Sequence, residues 1–363
     1  LKNLKYPILV ILFSQAWLAN AQLNYSAYTD IQNRFFVFDN GSKIQLEGLQ
    51  PRSYQVGRTG LAYVDNMGIF KVYREGVKNT VNDNITTDYG VTDNLIYYKG
   101  GNSLSVIDGN EDKTLTRWVG EYAIGDSVVM YYDKIKNVLH AYYNGKIYEL
   151  ENNLAITTFT GFIAKDNIIA YTNFAHQLKV FHHGQTYVLE TQPITALQVG
   201  RNMVAYLDIN GQFKVWYNGE SKTLDGFAPK SFIVGDNVMA YNAYDGNFKI
   251  FYRGEVNNVG FFEKEYTVKD NVVLYQDGNN WSNIFYKGNT TAVDNFYPQK
   301  LLIGYNSLAY INKANVLRMF QAGEFYDVTS MINDLDNVEI NYDVLRYKIG
   351  INGYRFFKEG QDY

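Results

Sequence analysis

The chain has 363 residues, of which 46% are hydrophobic, and a formal net charge of −4. That is enough apolar material for one large or two ordinary domains, and a small, dispersed charge with no basic run argues against a nucleic-acid partner. Cysteine is absent, which excludes disulfides, thiol nucleophiles and thiolate metal sites and leaves an exported form to rest on its packed core.

The chain opens on a targeting pattern. Lys2 and Lys5 precede an apolar core from Ile8 to Phe13, continued by Ala16-Trp17-Leu18-Ala19, and Ala19-Asn20-Ala21 is a small-x-small cleavage site. Residues 1–21 therefore read as a secretory signal peptide, too short and wrongly flanked for a membrane span. The mature chain is expected to start at Gln22 and to form one repeat domain over 22–363. No transmembrane segment is expected after cleavage.

Two markers then recur to the C-terminus. A tyrosine closing a small or apolar run stands at Tyr28, Tyr63, Tyr98, Tyr131, Tyr171, Tyr206, Tyr241, Tyr275, Tyr310 and Tyr347. A glycine closing an aromatic-rich run stands at Gly41, Gly76, Gly109, Gly145, Gly184, Gly219, Gly254, Gly288, Gly323 and Gly360. Between Tyr171 and Tyr310 the tyrosine steps are 35, 35, 34 and 35 residues. Two markers holding one period mean a solenoid, propeller or array.

The first copy, Asn24 to Leu49, has no room for a first strand. Val56 to Val81 is a full copy, and the third is looser. Its Asp108-Gly109-Asn110-Glu111-Asp112 turn lacks the spacing of a calcium loop and reads as a solvated turn. A step of 40 residues follows the fourth copy. Copies five to eight are the cleanest. The ninth is followed by Ser330 to Asp336, the one stretch compatible with a helical turn. The last copy carries Arg346 where most have an apolar residue.

Copy seven, Phe232 to Gly260, shows the strand content: FIVG, VMAYNAY, FKIFYRGE and VNNVG. Asp236-Asn237 marks the first turn, with Asp93-Asn94, Asp166-Asn167 and Asp270-Asn271 in the same slot. Arg201-Asn202 and Tyr305-Asn306 keep only the Asn. Gly254 marks the third turn, which calls for a positive φ. Val238-Met239-Ala240-Tyr241 is apolar on both faces, unlike a strand with one solvated side. Such sheets must be stacked between two others. The fold class is thus an all-β, β-propeller of four-stranded antiparallel blades, about nine or ten in number. A β-solenoid or two smaller rings are the alternatives. The incomplete end copies point to one blade assembled from both termini.

In such a ring the short, uniform first-to-second and third-to-fourth turns share one face. The second-to-third turns and inter-blade links, read as variable, share the other, and variable loops on a rigid scaffold are where binding resides. The candidate contact residues on that face are Trp118, Phe174, Tyr244, Phe262, Trp281 and Tyr297. Excess tyrosine reads mainly as packing between blades with hydroxyls at the wet rim. The adjacent His182 and His183 are expected on opposite faces of one strand, where they cannot chelate one metal. No Gly-x-Ser-x-Gly, phosphate loop or His-Glu-x-x-His is present, so no catalytic residue, metal or cofactor is assigned. Glu263, Glu265, Asp334 and Asp336 in the links are the acids to consider for paired-carboxylate chemistry, and they read as solvated.

The leader ending Ala19-Asn20-Ala21-Gln22 and the Tyr- and Asn-rich copies resemble secreted β-propeller repeat proteins of Bacteroidota, over Gln22 to Tyr363. The resemblance is architectural and carries no functional residue. It implies an envelope role with a protein, glycan or secretion component as partner. One such role is the periplasmic plug of a type IX secretion translocon. With no C-terminal sorting domain recognised, the periplasm is favoured over the surface. The expected function is a non-catalytic interaction or ligand-binding scaffold. The alternative is a polysaccharide hydrolase or lyase, which carboxylates clustered at a channel mouth favour.

Overall fold

A computed structural model describes residues 25–82, 86–152, 162–261, 265–332, 334–351 and 353–363. The leader pattern and Phe262 lie outside the described residues. The rest forms ten antiparallel sheets in chain order, nine four-stranded and the first three-stranded. We number these blades 1 to 10, spanning 25–47, 53–82, 86–116, 119–152, 162–190, 194–225, 231–261, 266–294, 302–329 and 338–362. Each four-stranded blade is a meander whose strands pair only with their sequence neighbours. Among the described residues there is no helix, and hence none long and apolar enough to cross a membrane.

The alternation within strands explains the stacking. In blade 7, Val238, Ala240, Phe248 and Ile250 pack against blade 8. The intervening Met239, Tyr241 and Phe251 pack against blade 6. Period-two side chains thus feed two cores from one strand. The buried hydrophobic residues fall into ten clusters, one for each junction between neighbouring blades, including the junction of blade 10 with blade 1. First strands of successive blades approach one another, which places them at the axis. Outer strands such as Glu220–Asp225 and Asn289–Asp294 are largely exposed.

The recurrent tyrosine does more than fill space. Tyr63 donates its hydroxyl to Glu47 at 2.8 Å, an acid at the end of the preceding blade. Lys71 reaches the same carboxylate at 2.9 Å and Asp65 of its own blade at 2.8 Å. Lys179 with Glu151 and Lys214 with Glu190 and Asp208 repeat the pattern. Burial, then the bond to Glu47, push the Tyr63 phenol well above its usual range, so it stays a donor. The third turn has both residues left-handed, as in Arg253 (φ 50°) and Gly254 (φ 90°). That is the hairpin turn that suits strand twist.

Ring closure departs from the sequence reading. Neither end blade borrows a described strand from the other terminus: blade 1 is built from 25–47 and blade 10 from 338–362. Side chains close the ring instead. Phe38 stacks on Phe356 with centroids 4.3 Å apart, Ser26 Oγ donates to Asn341 at 2.8 Å, and Lys43 reaches the Tyr354 carbonyl at 3.0 Å. Arg346, the residue that looked out of place, donates to the Ala27 carbonyl at 2.5 Å across this junction. The described residues of the stretch after blade 9 form no helical turn, and Ile332 and Leu335 point inward to pack between blades 9 and 10.

Candidate functional site

On one face, six of the second-to-third turns share a backbone motif where the sequence reading expected variation. An Asx side chain accepts from amides two and four residues on: Asp30 from Gln32 and Arg34, Asp65 from Met67 and Ile69, and Asp208 from Asn210 and Gln212. Asn173, Asp277 and Asn312 do the same. Such local bonds are why Asp and Asn favour turns. The tip residue varies and projects outward: Ile31, Met67, Ile135, Phe174, Ile209 and Tyr244 are all exposed.

Of the candidate contact residues, Trp118, Phe174, Tyr244 and Trp281 are 52%, 51%, 64% and 47% exposed, so they are not plugs between blades. Tyr244 stacks on Phe227 of the preceding link at 5.1 Å. Tyr297 is half-buried and shares a 3.0 Å hydrogen bond with Thr267. Its ring lines a cleft of about 970 Å³ with Glu265, Gln276, Asn295, Phe296, Pro298 and Gln299. The five lie on different blades or links and are spread around the rim.

The opposite face holds a convergence that sequence reasoning missed. First-to-second turns crowd the axis there, as the glycines preceding them show. A Cβ on Gly200 would lie 1.6 Å from the Gly235 carbonyl oxygen, and one on Gly235 would lie 2.2 Å from that of Asp270. Asn side chains in the next slot form a ladder around the axis. Asn167 donates to Asn202 at 2.6 Å, Asn202 to Asn237 at 3.2 Å, Asn237 to Asn271 at 3.1 Å and Asn271 to Asn306 at 3.1 Å.

The middle slot points inward. Arg201 of blade 6 lies 3.1 Å from Asp93, 3.0 Å from Asp126, 3.5 Å from Asp166 and 3.6 Å from Asp236. Those four acids come from blades 3, 4, 5 and 7, so one guanidinium spans the mouth of the channel. Tyr305 and Tyr342 occupy the slot in blades 9 and 10 and stack with centroids 4.6 Å apart. A cavity of about 360 Å³ lies beside them, lined by Asp93, Asp126, Lys165, Asp166, Lys269 and Asp270 among others. Burial, then contact with Asp126, push the Asp166 carboxyl up to about 6. Burial, then the charges of Asp166 and Asp270, push Asp236 up to about 8. One arginine thus leaves the acids short of positive charge. The slot itself was legible, since Arg201 stood out among aspartates. That residues 108 apart meet needs the closed ring.

The histidine reading is corrected. His183 has a φ of 49°, so the strand ends at His182 and the next side chain folds back. The rings stack at 3.9 Å instead of facing apart. Among the described residues no group of three or more His, Asp or Glu side chains is arranged to hold a metal ion.

With ten blades and a closed ring in view, the family comparison is decisive: the 10-bladed beta propeller domain matches residues 18–363. The chain belongs to that family. No curated protein matches it. Solved structures similar to this ten-bladed propeller include the eukaryotic initiation factor, at 12% identity over 85% of this chain and 94% of that one, TM-score 0.44. The computationally designed protein Ika8 is 16% identical over 76% and 97%, TM-score 0.34. PorZ, a surface component of the type-IX secretion system of Porphyromonas gingivalis, is 12% identical over 93% and 66%, TM-score 0.27. Likenesses this weak carry nothing about the function of the ten-bladed propeller.

Proposed function

We propose that the chain is an exported, non-catalytic interaction scaffold of the cell envelope, in the periplasm, that engages a partner protein or glycan with its Asx-turn face. The supporting observation is the set of half-exposed Trp118, Phe174, Tyr244 and Trp281 on that rim. Aromatic side chains presented on a rigid frame give large contact area at low entropic cost. The test is co-purification from the native envelope, comparing the wild type with a Phe174→Ala/Tyr244→Ala/Trp281→Ala triple variant. A partner retained by the first and lost by the second, with unfolding unchanged, supports the reading. Equal recovery by both overturns it.

A second reading draws on the carboxylates at the channel mouth. Glycoside hydrolysis calls for two carboxyl groups about 5 Å or more apart; Asp93, Asp126, Asp166 and Asp236 gather there around Arg201, and the Asp166 carboxyl is pushed up to about 6. Turnover of a polysaccharide that is abolished by both Asp166→Asn and Asp126→Asn would establish it over the scaffold reading.

A further inference from the structure

We propose that the channel mouth on the short-turn face binds a cationic head group, an alkyl guanidinium or primary ammonium, in the cavity between Asp93, Asp126, Asp166 and Asp270. This is a separate site from the aromatic rim and does not rest on it.

The mouth is already built around one cation. Four carboxylates from four blades surround Arg201 at 3.0 to 3.6 Å. The positive groups near them are otherwise engaged or peripheral. Lys165 donates to the Val234 carbonyl at 3.3 Å, and Lys269 pairs with Asp270 at 3.3 Å. Arg58 and Lys165 act on Asp93 and Asp166 through space.

The decisive atom is Asp166 Oδ2. The Asp166 side chain is 8% exposed and borders the cavity, yet this oxygen has no hydrogen-bond partner. A buried acceptor left unmatched costs about 1–3 kcal/mol, more when charged. It is satisfied by a proton at low pH or by a donor entering the cavity. The Asp126 carboxyl is in contact with it, but two carboxyl groups hold no donor between them without a proton. The raised affinity of Asp166 and Asp236 for protons reports the same deficit of positive charge. An anion is disfavoured by the carboxylates on the wall. The stacked Tyr305 and Tyr342 rings line the same cavity and offer apolar surface to an alkyl stem. About 360 Å³ is within the range of small-ligand pockets.

Binding should expel protons, because a bound cation favours the ionised acids. The titratable groups facing the site are Asp93, Asp126, Asp166, Asp236, Asp270, Arg58, Lys165, Arg201, Lys269, Tyr305 and Tyr342. The head group can belong to a free diamine or to a basic side chain of a partner. Titration calorimetry at pH 7.5 and pH 5.0 separates these, with agmatine, an acetylated Gly-Arg-Gly amide and its citrulline counterpart as probes. Saturable binding of agmatine or the arginine peptide at pH 7.5 is expected, about tenfold or more weaker at pH 5.0. It comes with proton release, seen as a heat that depends on the buffer. Agmatine alone binding identifies a free amine as the source; the peptide alone identifies a partner side chain. Asp166→Asn and, separately, Asp270→Asn weaken binding while thermal unfolding shows both folded. The proposal is overturned by no saturable binding of either cation, by equal binding of the citrulline peptide, or by unchanged binding in folded Asp166→Asn.

Discussion

Replacing Arg201 with Met removes the charge at the channel mouth and keeps most of the stem. Four carboxylates then face one another, with side-chain exposures of 10% for Asp93, 25% for Asp126, 8% for Asp166 and 2% for Asp236. Removing one partner of a buried pair costs about 3–5 kcal/mol. Because Asp126 and Arg201 itself are a quarter exposed, the lower end, about 3 kcal/mol, is expected at pH 8. The sign of the pH dependence is fixed. Asp166 and Asp236 bind protons more tightly folded than unfolded, so lowering pH through about 8 and about 6 neutralises them and relieves the repulsion. The deficit of Arg201→Met should shrink to about 1 kcal/mol or less at pH 5. Urea unfolding of both proteins at pH 8, 6.5 and 5, read from midpoints at unchanged slope, measures it. A deficit that is the same at all three pH values, or below about 0.5 kcal/mol at pH 8, refutes the account of Arg201 as the neutralising centre.

Other outcomes follow from the same geometry. Gly200→Ala forces a Cβ against the Gly235 carbonyl and should cost about 2 kcal/mol or more, whereas Gly226→Ala meets nothing within 4 Å and should change stability by less than about 1 kcal/mol in either direction; equal midpoints for the two in urea contradict the crowding at the axis. Asp208→Ala loses two turn bonds and the Lys214 pair and should cost about 1–3 kcal/mol, while Asp208→Asn keeps the turn and costs less; parallel unfolding curves decide it. Tyr63→Phe should cost about 1 kcal/mol through the lost bond to Glu47, with near-UV circular dichroism otherwise retained. For the wild type, stability should rise as pH falls from about 8 to about 7, where Asp236 takes up its proton; further down, His140 and His182, whose imidazoles burial holds below their usual range, oppose the gain. Below about 4 it should fall, as Asp208, held below its usual range by Lys214 and turn amides, is protonated. A monotonic decline from pH 8 to pH 3 contradicts this.

What the sequence disclosed was whatever repeats along it. The 35-residue step, the two-sided apolar strands and the glycine turns led directly to stacked four-stranded blades. The shared Asx turn was equally available, since Asp30, Asp65, Asp208 and Asp277 stand at like places in their copies. The varied tips beside them mask it. His183 was misplaced because a left-handed residue at the strand end breaks the alternation on which facing was argued. Arg201 marked itself as an exception in an aspartate slot, but its meeting with Asp93 depends on the curvature of the ring, to which no local pattern points.

The union of the first and last blades has a mechanical implication. Rings that interleave strands from both ends must break backbone ladders before they open. Here the described ends meet through the Phe38 and Phe356 rings, Lys43, Ser26 and Arg346. Under tension applied at its two ends, the molecule should therefore unzip at this seam first and shed blades singly, like beads leaving an unclasped bracelet. Splicing the ends with a short linker and cutting the chain elsewhere would move the weak point without changing the ring.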